Sequence, residues 1–242
     1  MRVLITAGGT SERIDDVRAI TNFSTGRLGS LVAEAYSQLP NVDVTLISAK
    51  RSLKPTNSAI NIIEVESVQE LFSEVTNQLE RYTFDIVVHS MAVSDYYLVG
   101  TTSQETLVSE LEQNQSVTEG LNRAFEPISS QPKKLSSQSE TMYFQLKQTP
   151  KVIGLIKQLQ PDTCLVGFKL LVDIPEEQLV QVAKRLMAKN DCDFVLANDK
   201  TKISGDHHLG HLINPLGEFT TYTSKQAIAQ GIIEQTMKGR TN

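Results

Sequence analysis

Short apolar runs alternate with longer amphipathic stretches along most of this chain, and this alternation restricts its fold more than any other feature. Stretches with the apolar spacing of a helix cover about 28–38, 68–81, 150–158, 176–189 and 225–237. Between them lie apolar runs of strand length at about 3–6, 42–47, 60–65, 86–89, 164–168 and 194–197. Alternation of this kind favours a parallel sheet with helices on both faces. We therefore predict the α/β class, with a Rossmann-like, doubly wound and mainly parallel sheet.

The composition is that of an ordinary globular chain, with 242 residues, 40% hydrophobic content and a net charge of −5. We expect one domain over residues 1–242. The acidic balance argues against nucleic acid as a partner, because the basic pairs Lys50–Arg51 and Lys133–Lys134 are too short to form a phosphate-binding stripe. No apolar run approaches roughly 18 residues and the start lacks the pattern of a signal peptide, so we expect no membrane contact and a cytoplasmic location.

The stretch from about residue 100 to residue 137 differs in composition from the rest of the chain. Its first part, 100–131, is rich in Ser, Thr, Gln and Glu. It contains two helical fragments, near 105–112 and 117–125, with few apolar residues to bury. We interpret the stretch as a polar flap or insertion over the functional site, and a surface insertion without a role remains the alternative.

A strand pattern follows at 141–147, where apolar and polar residues alternate as in a half-exposed strand. Two more short strands, 211–213 and 219–222, flank the turn at 214–217. We predict that these strands form a small antiparallel dimerisation extension, available for pairing with a second subunit. A self-contained hairpin is the alternative.

The segment 6–29 carries the strongest functional signal. Gly8-Gly9-Thr10 comes directly after the first strand, and Ser24-Thr25-Gly26 comes directly before a helix. Glycines allow a turn to present several backbone N–H groups to an anion, and a helix N-terminus adds its dipole. The pattern therefore indicates two phosphate-binding loops, although tight turns also use glycine pairs. In a doubly wound sheet the loops after the parallel strands open at one edge, where ligands bind.

Five segments, in the same order along the chain, resemble motifs of the phosphopantothenate–cysteine ligases, the enzymes of coenzyme A synthesis. They are ITAGGTSERIDDVRAITNFSTGRLG, MAVSDYY, KKLSS, VGFKLLVD and FVLAND, and the resemblance covers most of the chain. It implies a ligase that joins 4′-phosphopantothenate to L-cysteine through an acyl-nucleotide, phosphopantothenoyl-cytidylate, with release of pyrophosphate and then of nucleoside monophosphate. It further implies CTP as co-substrate, with ATP as the alternative, together with Mg2+. No flavin-dependent decarboxylase precedes these motifs, so the resemblance implies a stand-alone enzyme.

The resemblance also implies roles for individual residues. Asn22 matches the asparagine that handles the acyl-nucleotide, and Lys134 matches a catalytic lysine on a flexible flap, with neighbouring Lys133 as the alternative. The implied substrate-binding residues are Arg18, which reaches phosphopantothenate from the neighbouring subunit, and Met91, Ala92 and Asp95. The implied nucleotide-binding residues are Gly8, Gly9, Thr10, Ser24, Gly26, Gly29, Phe168, Lys184, Lys189 and Asn198. The resemblance thereby implies a homodimer with sites completed across its interface, and it assigns no metal ligand in the chain.

Other patterns leave alternative functions open. Tyr143 and Lys147 have the spacing of the proton relay of short-chain dehydrogenases, but such residues lie about 6 Å apart only on a helix, against about 13 Å on a strand. The pair Lys50–Arg51 would suit an NADP phosphate, so an NADP-dependent reductase stays as one alternative. A non-catalytic nucleotide-sensing domain is the other. We interpret the three histidines within 206–211 as part of a solvated loop rather than as a metal site.

Overall fold

The structure of the chain is a computed structural model that describes residues 1–127 and 139–238. The predicted flap lysines, Lys133 and Lys134, lie outside the described residues. The strands are β1 (Arg2–Ala7), β2 (Ser11–Arg13), β3 (Ala19–Thr21), β4 (Asp43–Ala49), β5 (Asn61–Val65), β6 (Ile86–His89), β7 (Tyr96–Ser103), β8 (Glu126–Pro127), β9 (Met142–Gln148), β10 (Cys164–Leu171), β11 (Phe194–Ser204), β12 (His207–Ile213) and β13 (Phe219–Ser224). The helices are α1 (Arg27–Ser37), α2 (Val68–Arg81), α3 (Gln104–Gln113), α4 (Val117–Ala124), α5 (Val152–Leu159), α6 (Glu176–Asn190) and α7 (Lys225–Met237).

The central sheet has eight strands in the order β13-β12-β11-β10-β6-β1-β4-β5. The strands from β11 to β5 are parallel neighbours, whereas β12 and β13 are antiparallel additions at one edge. The chain starts in the middle at β1, moves outward to β5, and then returns to place β6 on the other side of β1. This reversal between β1 and β6 is the switch point of a doubly wound fold. The predicted Rossmann-like, mainly parallel sheet is confirmed.

Side chains alternate across the parallel strands, so each face of the sheet builds its own core. On one face Val3 and Ile5 pack with apolar residues of α1 and α7. On the other face Leu4 packs with apolar residues of α2, α5 and α6. Because both faces are covered, the parallel strands have continuous apolar runs rather than alternating ones.

Several helices begin where the sequence provides a cap. Ser67 accepts a hydrogen bond from Glu70 N at the start of α2, and Ser224 accepts one from Ala227 N at the start of α7. Both helices have the residue bounds that the apolar spacing predicts. In the described part of the chain, none of the helices is long and apolar enough to cross a membrane.

Helix α7 closes one face of the sheet against α1. The hydroxyl groups of Tyr36 and Thr236 lie 2.5 Å apart in a hydrogen bond between residues 200 positions apart in the sequence. Both side chains are buried. Helix α1 is thereby held from two sides, by the sheet and by α7, and its first turn stays at the carboxyl end of β1.

The predicted antiparallel extension is divided between two places. β12 and β13 extend the central sheet, but β9 pairs with β7 in a separate three-stranded sheet of order β8-β7-β9. The sequence pattern does not predict β7, because its residues begin in the MAVSDYY motif and end in the polar stretch. It does not predict the β2–β3 hairpin either, since strands of three residues are too short to show an alternation. The helical fragments of the polar stretch are confirmed as α3 and α4, while a role as a flap stays a prediction.

Helix α1 packs so closely on β1 that position 29 has no room for a side chain. A Cβ atom on Gly29 would lie 2.5 Å from Ala7 Cβ and 2.7 Å from Ser90 Oγ. We expect Gly29→Ala to lower the free energy of unfolding by about 1–3 kcal/mol, because the added methyl group pushes the helix away from the sheet. Urea unfolding followed by circular dichroism measures this change.

The matched control is Gly154→Ala in α5, where an added Cβ would meet only Asn190 Oδ1, at 3.5 Å. Alanine has the better helix propensity, so this variant should be as stable as the parent or more stable by up to about 1 kcal/mol. Equal stability of the two variants would contradict the packing argument.

Candidate functional site

The loops that follow β1 and β6 are joined side by side beyond the carboxyl edge of the sheet. Ala92 N donates to Gly8 O over 2.8 Å, and Thr10 N donates to Ala92 O over 3.1 Å. Ser94 N donates to Thr10 Oγ1 over 2.9 Å. The GGT and MAVSD motifs are more than 80 residues apart in the sequence. They nevertheless form one continuous structure at the switch point, where ligands bind in doubly wound folds.

The side chain of Thr10 belongs to this joint and not to the surface of the crevice. It is fully buried, and its oxygen accepts the bond from Ser94 N. The hydroxyl group is thus engaged within the protein, and the nucleotide-binding role of Thr10 stays a prediction. Its position explains why a threonine follows the glycine pair: the two loops need a short acceptor between them.

The two glycine clusters meet next to the turn after β4. Gly8 and Gly26 have positive φ values, 97° and 73°. An added Cβ at Gly8 would lie 2.9 Å from Ser52 Cβ, and one at Gly26 would lie 2.6 Å from the same atom. Both positions therefore require glycine for the backbone conformation and for close contact. The clusters form one packed assembly, which we call the glycine loops (residues 8–10 and 24–26).

Helix α1 begins at these glycine loops, with Gly26 as its N-cap residue. Ser24 and Thr25 are exposed, and their hydroxyl groups make only long contacts of 3.4 Å with Gly26 N and Arg27 N. The first turn of a helix leaves backbone N–H groups without intrahelical partners. The start of α1 therefore presents hydrogen-bond donors and the positive end of its dipole to an anion in the crevice.

Phe168 and Asn198 lie on the same face of the sheet as α1. Phe168 packs against the core of that face. Asn198 follows Leu196, a member of the same core, by two positions on β11, which places both on one side. Phe168 comes one residue after Gly167, which is opposite His89 at the end of β6. The structure thus brings both residues to the carboxyl edge on the side of α1, which suits the nucleotide-binding role that the sequence predicts.

The amide of Asn198 is already hydrogen-bonded within the protein. Its Nδ2 lies 2.7 Å from Nε2 of His208, and both side chains are buried. Burial, followed by the nearby charge of Lys225, lowers the pKa of His208 to about 4, so the ring is neutral near pH 7. A neutral ring accepts the bond from the Asn198 amide, which leaves Asn198 Oδ1 as the atom that a ligand can use.

The predicted substrate-binding segment presents one side chain to solvent. Met91 is 6% exposed and packs in the core, so a ligand can reach only its backbone. Ala92 uses its N–H and its C=O in the joint between the loops. Asp95 is exposed and forms an ion pair with Lys151. A substrate that binds Asp95 therefore has to compete with this lysine.

Arg18 lies at the tip of the β2–β3 hairpin, away from the glycine loops. The base of the hairpin pairs Ser11 with Thr21, whereas Arg18 follows at the turn. Its guanidinium binds the carboxylate of Asp15, with 2.6 Å between Arg18 Nη2 and Asp15 Oδ2, and 46% of the side chain is exposed. Within one chain the structure does not bring Arg18 to the glycine loops, and its role toward a second subunit stays a prediction.

The structure does not bring Lys184 and Lys189 to the crevice. Helix α6 packs on the face of the sheet opposite α1, and it runs from the carboxyl end of β10 back to the start of β11. Lys189 is in its last turn, at the amino edge of the sheet. Lys184 lies against Gly217, in the turn between β12 and β13 at that same edge. The nucleotide-binding role of these two lysines stays a prediction, and within one chain the two residues lie away from the glycine loops.

A cleft of about 180 Å3 lies on the other side of the glycine loops, next to Asn22. The backbone of Asn22 is fixed because its N–H donates to Thr10 O over 3.3 Å. The walls of the cleft are Gly9, Ser11, Thr21, Asn22, Phe23, Ser24, Ala49, Lys50, Arg51, Ser52, Val65 and Glu66. Asn22 therefore stands between this cleft and the first turn of α1, a position from which its amide can contact a ligand that extends into both spaces.

His89, at the end of β6, is a buried residue to which the sequence assigns no role. Its Nδ1 lies 2.9 Å from Thr6 Oγ1. Thr6 Oγ1 accepts the N–H of Met91 over 3.2 Å, so the hydroxyl proton is available to the histidine ring. Burial lowers the pKa of His89 to about 4, and the neutral ring acts as an acceptor directly below the crevice. A polar residue at the end of an otherwise apolar strand is the sequence signal that marks it.

The structure also decides the interpretation of the Tyr143/Lys147 pair and of the histidine-rich segment 206–211. Tyr143 and Lys147 both lie on β9, so they do not have the helical spacing that a dehydrogenase proton relay needs. The segment 206–211 is not a solvated loop, and this prediction is wrong: most of it belongs to β12, and His208 and His211 are buried. The apolar residues that follow in the segment draw it into the central sheet.

The fold defines a Rossmann-like α/β domain with a crevice at its switch point, beside the N-terminus of α1. The chain belongs to the family described as the DNA/pantothenate metabolism flavoprotein C-terminal domain, which it matches over residues 1–124 and 123–239. The family resemblance carried by the sequence motifs is thereby confirmed.

Several curated relatives are proteins of coenzyme A biosynthesis. The chain is 34% identical over 197 residues to the coenzyme A biosynthesis bifunctional protein CoaBC of Thermococcus kodakarensis, with 81% of this chain and 41% of the relative covered. It is 29% identical over 239 residues to the CoaBC protein of Methanocaldococcus jannaschii, with 98% of this chain and 50% of the relative covered. The chain thus spans half of the length of these relatives or less.

Solved structures share the fold over the whole chain. The DNA/pantothenate metabolism flavoprotein from Streptococcus pneumoniae is 36% identical, with a TM-score of 0.84 and 100% of both chains covered. A Cab2 variant in complex with phosphopantothenate-cysteine is 15% identical, with a TM-score of 0.70 and with 99% of this chain and 89% of that chain covered. Because the Cab2 variant is only 15% identical, its similarity to this chain shows the fold alone.

The buried neutral ring of His89 should make the protein less stable in acid. A histidine in the unfolded chain titrates near pH 6.5, whereas His89 in the folded chain titrates at about 4, so the unfolded state takes up the proton first as the pH falls. We expect this residue to lower the free energy of unfolding by up to about 1.4 kcal/mol per pH unit between these values. His208 adds a contribution of the same sign. Urea unfolding at several pH values, with the parent and His89→Asn, measures the slope.

The variant should show a flatter slope than the parent, whatever its stability near pH 7. Gln69→Asn is the control, because Gln69 is exposed on α2 and carries no titratable group, so its substitution should leave the slope unchanged. A slope that His89→Asn leaves unchanged would contradict the role of the buried ring.

Proposed function

We propose that the protein is a phosphopantothenate–cysteine ligase, which joins 4′-phosphopantothenate to L-cysteine in coenzyme A biosynthesis. The observation that carries the proposal is the joining of the GGT and MAVSD motifs, beside Asn22 and the first turn of α1, at the switch point of the fold. Membership of the family and similarity to CoaBC proteins support it.

The proposed reaction has two steps, because a carboxylate is a poor electrophile and has to be activated. In the first step a carboxylate oxygen of phosphopantothenate attacks the α-phosphorus of the nucleotide, and the bond to pyrophosphate breaks. In the second step the amine of cysteine attacks the acyl carbon and loses a proton, and nucleoside monophosphate leaves with the bonding electron pair. The products are phosphopantothenoylcysteine, pyrophosphate and the monophosphate.

In this proposal the triphosphate lies at the glycine loops and the first turn of α1, where backbone N–H groups stabilise the charge of the leaving pyrophosphate. Phe168 and Asn198 Oδ1 contact the base or the ribose. The amide of Asn22 donates a hydrogen bond to the acyl-nucleotide, between the nucleotide and the cleft. Lys134, outside the described residues, neutralises phosphate charge from the flap, with Lys133 as the alternative.

We further propose CTP as the nucleotide, with ATP as the alternative, each as its Mg2+ complex. Enzymes commonly hold Mg2+ through the phosphates of the substrate and one or two carboxylates. Among residues 1–127 and 139–238, no group of three or more His, Cys, Asp or Glu side chains is placed to hold a metal ion. An ion that enters with the nucleotide phosphates fits this arrangement.

Mass spectrometry of reaction mixtures tests the proposed function. The purified protein is incubated with phosphopantothenate, Mg2+ and either CTP or ATP, each with and without cysteine. We expect acyl-nucleotide and pyrophosphate without cysteine, and phosphopantothenoylcysteine with the matching monophosphate when cysteine is present. Nucleotide binding without pyrophosphate would instead favour a nucleotide-sensing domain, and binding of NADPH alone would favour a reductase.

The amide of Asn22 should be needed for turnover and not for folding. Removal of one hydrogen-bond donor that stabilises a transition state costs about 10²–10³-fold in kcat. We expect a loss of this size in Asn22→Ala, with little change in stability, because the side chain makes no hydrogen bond with another described residue. Steady-state kinetics of pyrophosphate release measures the change.

The control for this substitution is Asn77→Ala in α2, on the face of the sheet opposite α1. It should turn over at the rate of the parent. An Asn22→Ala variant with parental kcat would remove the role proposed for this side chain.

We also propose a homodimer that forms through the small sheet. β9 is an edge strand of that sheet in the described part of the chain, and Tyr143, Phe144 and Leu146 are 40%, 44% and 43% exposed. Tyr96, on neighbouring β7, is 49% exposed. An edge strand with exposed apolar side chains is a pairing site for another chain. In the proposed dimer Arg18 of one copy contacts phosphopantothenate bound to the other.

A charge in this apolar surface should separate the copies. We expect the parent to be a dimer in size-exclusion chromatography with light scattering, and Phe144→Glu to be a monomer, because pairing would bury an unpaired carboxylate. Leu216→Glu is the control, since Leu216 is 82% exposed in the turn between β12 and β13. A monomeric parent would contradict the proposed dimer.

A further inference from the structure

The turn after β4 brings two cationic side chains, Lys50 and Arg51, to the wall of the cleft beside Asn22. The proposed function gives neither of them a role. Lys50 Nζ lies 3.3 Å from Glu66 Oε2. Arg51 is exposed, and it has no ion pair or hydrogen bond to any residue within 1–127 or 139–238.

The charges around this cleft are unbalanced in favour of the cations. Glu66 is the one carboxylate in the cleft wall, and it is shared by two cations, because Arg13 Nη2 also lies 2.8 Å from Glu66 Oε2. The hydrogen bond from Arg13, together with the bond from Lys50, lowers the pKa of Glu66. Arg51 adds a positive charge that no described carboxylate neutralises. A concave site of net positive charge with apolar walls attracts anions.

The backbone that carries Arg51 is fixed at both ends. Lys50 N donates to Val65 O over 3.0 Å, and Leu53 N donates to Thr25 O over 2.8 Å. The turn is therefore tied to β5 on one side and to the glycine loops on the other. A guanidinium that projects from a fixed backbone loses less freedom when a ligand binds than one on a mobile loop.

The rest of the cleft offers hydrogen-bonding groups of the right kind for a phosphate. Ser11, Asn22 and Ser24 contribute hydroxyl and amide groups to its walls. The cleft, of about 180 Å3, has room for a small anionic group. Arginine is well suited to phosphate because its planar donors form two parallel hydrogen bonds to the oxygens.

We infer that this cleft is a phosphate-binding subsite, in which Arg51 makes the direct contact and Lys50 adds charge. The identity of the ligand rests on the proposed function: the phosphate belongs to phosphopantothenate or to the nucleotide, since both must reach Asn22. The proposed function places the nucleotide at the first turn of α1. The phosphate of phosphopantothenate is therefore the one that the geometry favours.

Calorimetric titration of the parent and Arg51→Gln tests the inference with four probes: phosphopantothenate, pantothenate, CTP with Mg2+, and inorganic pyrophosphate. We expect Arg51→Gln to bind phosphopantothenate about tenfold more weakly, as is typical for the loss of a charge-assisted hydrogen bond, and to bind pantothenate as the parent does. A selective loss in the CTP titration would assign the subsite to the nucleotide instead. Arg81→Gln, at the end of α2, is the matched control for the change in net charge.

The two variants distinguish a local contact from a general effect of charge. If Arg51→Gln binds every phosphate-containing probe with the same affinity as Arg81→Gln, the inference of a phosphate-binding subsite is wrong. The pyrophosphate titration separates this inference from the ligase function. A protein that needs Arg51 to bind pyrophosphate, but forms no phosphopantothenoylcysteine, keeps the subsite and loses the ligase.

Discussion

Three hydrogen bonds between the loops after β1 and β6 determine where the other parts of the crevice lie. In a doubly wound sheet the chain leaves these two strands toward opposite faces, so their loops tend to part at the carboxyl edge. Here the peptide groups of Gly8, Thr10 and Ala92 keep the loops together beyond the last ladder bonds of the sheet. Asn22 takes its position from the same joint, because its N–H donates to Thr10 O. The backbone of the candidate catalytic Asn22 is thus tied directly to this joint.

Close packing around glycine fixes the second half of the crevice. Ala7 has no space to spare against Gly29, and Ser52 has none against Gly8 or Gly26. These contacts set the distance between the first turn of α1 and the sheet. The backbone N–H groups of that turn therefore point into the crevice. The arrangement separates two kinds of charge: helix N–H groups on the α1 side, and the side-chain cations of the turn after β4 on the other. Polar substrates that meet at Asn22 can be held from both sides.

Much of the fold can be predicted from the sequence, because the parallel strands and their helices are long enough to show their periods. The bounds of α2 and α7 follow from apolar spacing and from the serine caps. The hairpin of β2 and β3 has too few residues for a period. β9 is a strand as predicted, but its apolar residues Phe144 and Leu146 are exposed, and only the tertiary structure reveals its partner. Periodicity identifies a strand and does not say which sheet it joins.

The candidate site is less completely predictable, for a related reason. Sequence order places Thr10 and Met91 within functional motifs, but burial directs the hydroxyl of the first into the joint and the side chain of the second into the core. Lys184 and Lys189 follow a motif residue, and yet α6 carries them to the far edge of the sheet on the opposite face. Which way a side chain points, and to which end a helix runs, depends on packing between elements that are distant in the sequence.

The contact between α1 and α7 has a consequence for the order of events during synthesis. Tyr36 and Thr236 are 200 positions apart, so the first helix is made long before its partner exists. At a translation rate of about 5–20 residues per second, that delay is about 10–40 s. Until it ends, apolar residues of α1 such as Val32 lack the cover that α7 later provides. The nascent chain therefore carries an open apolar face throughout this interval, and the helix that begins at the crevice is secured only when α7 has been made.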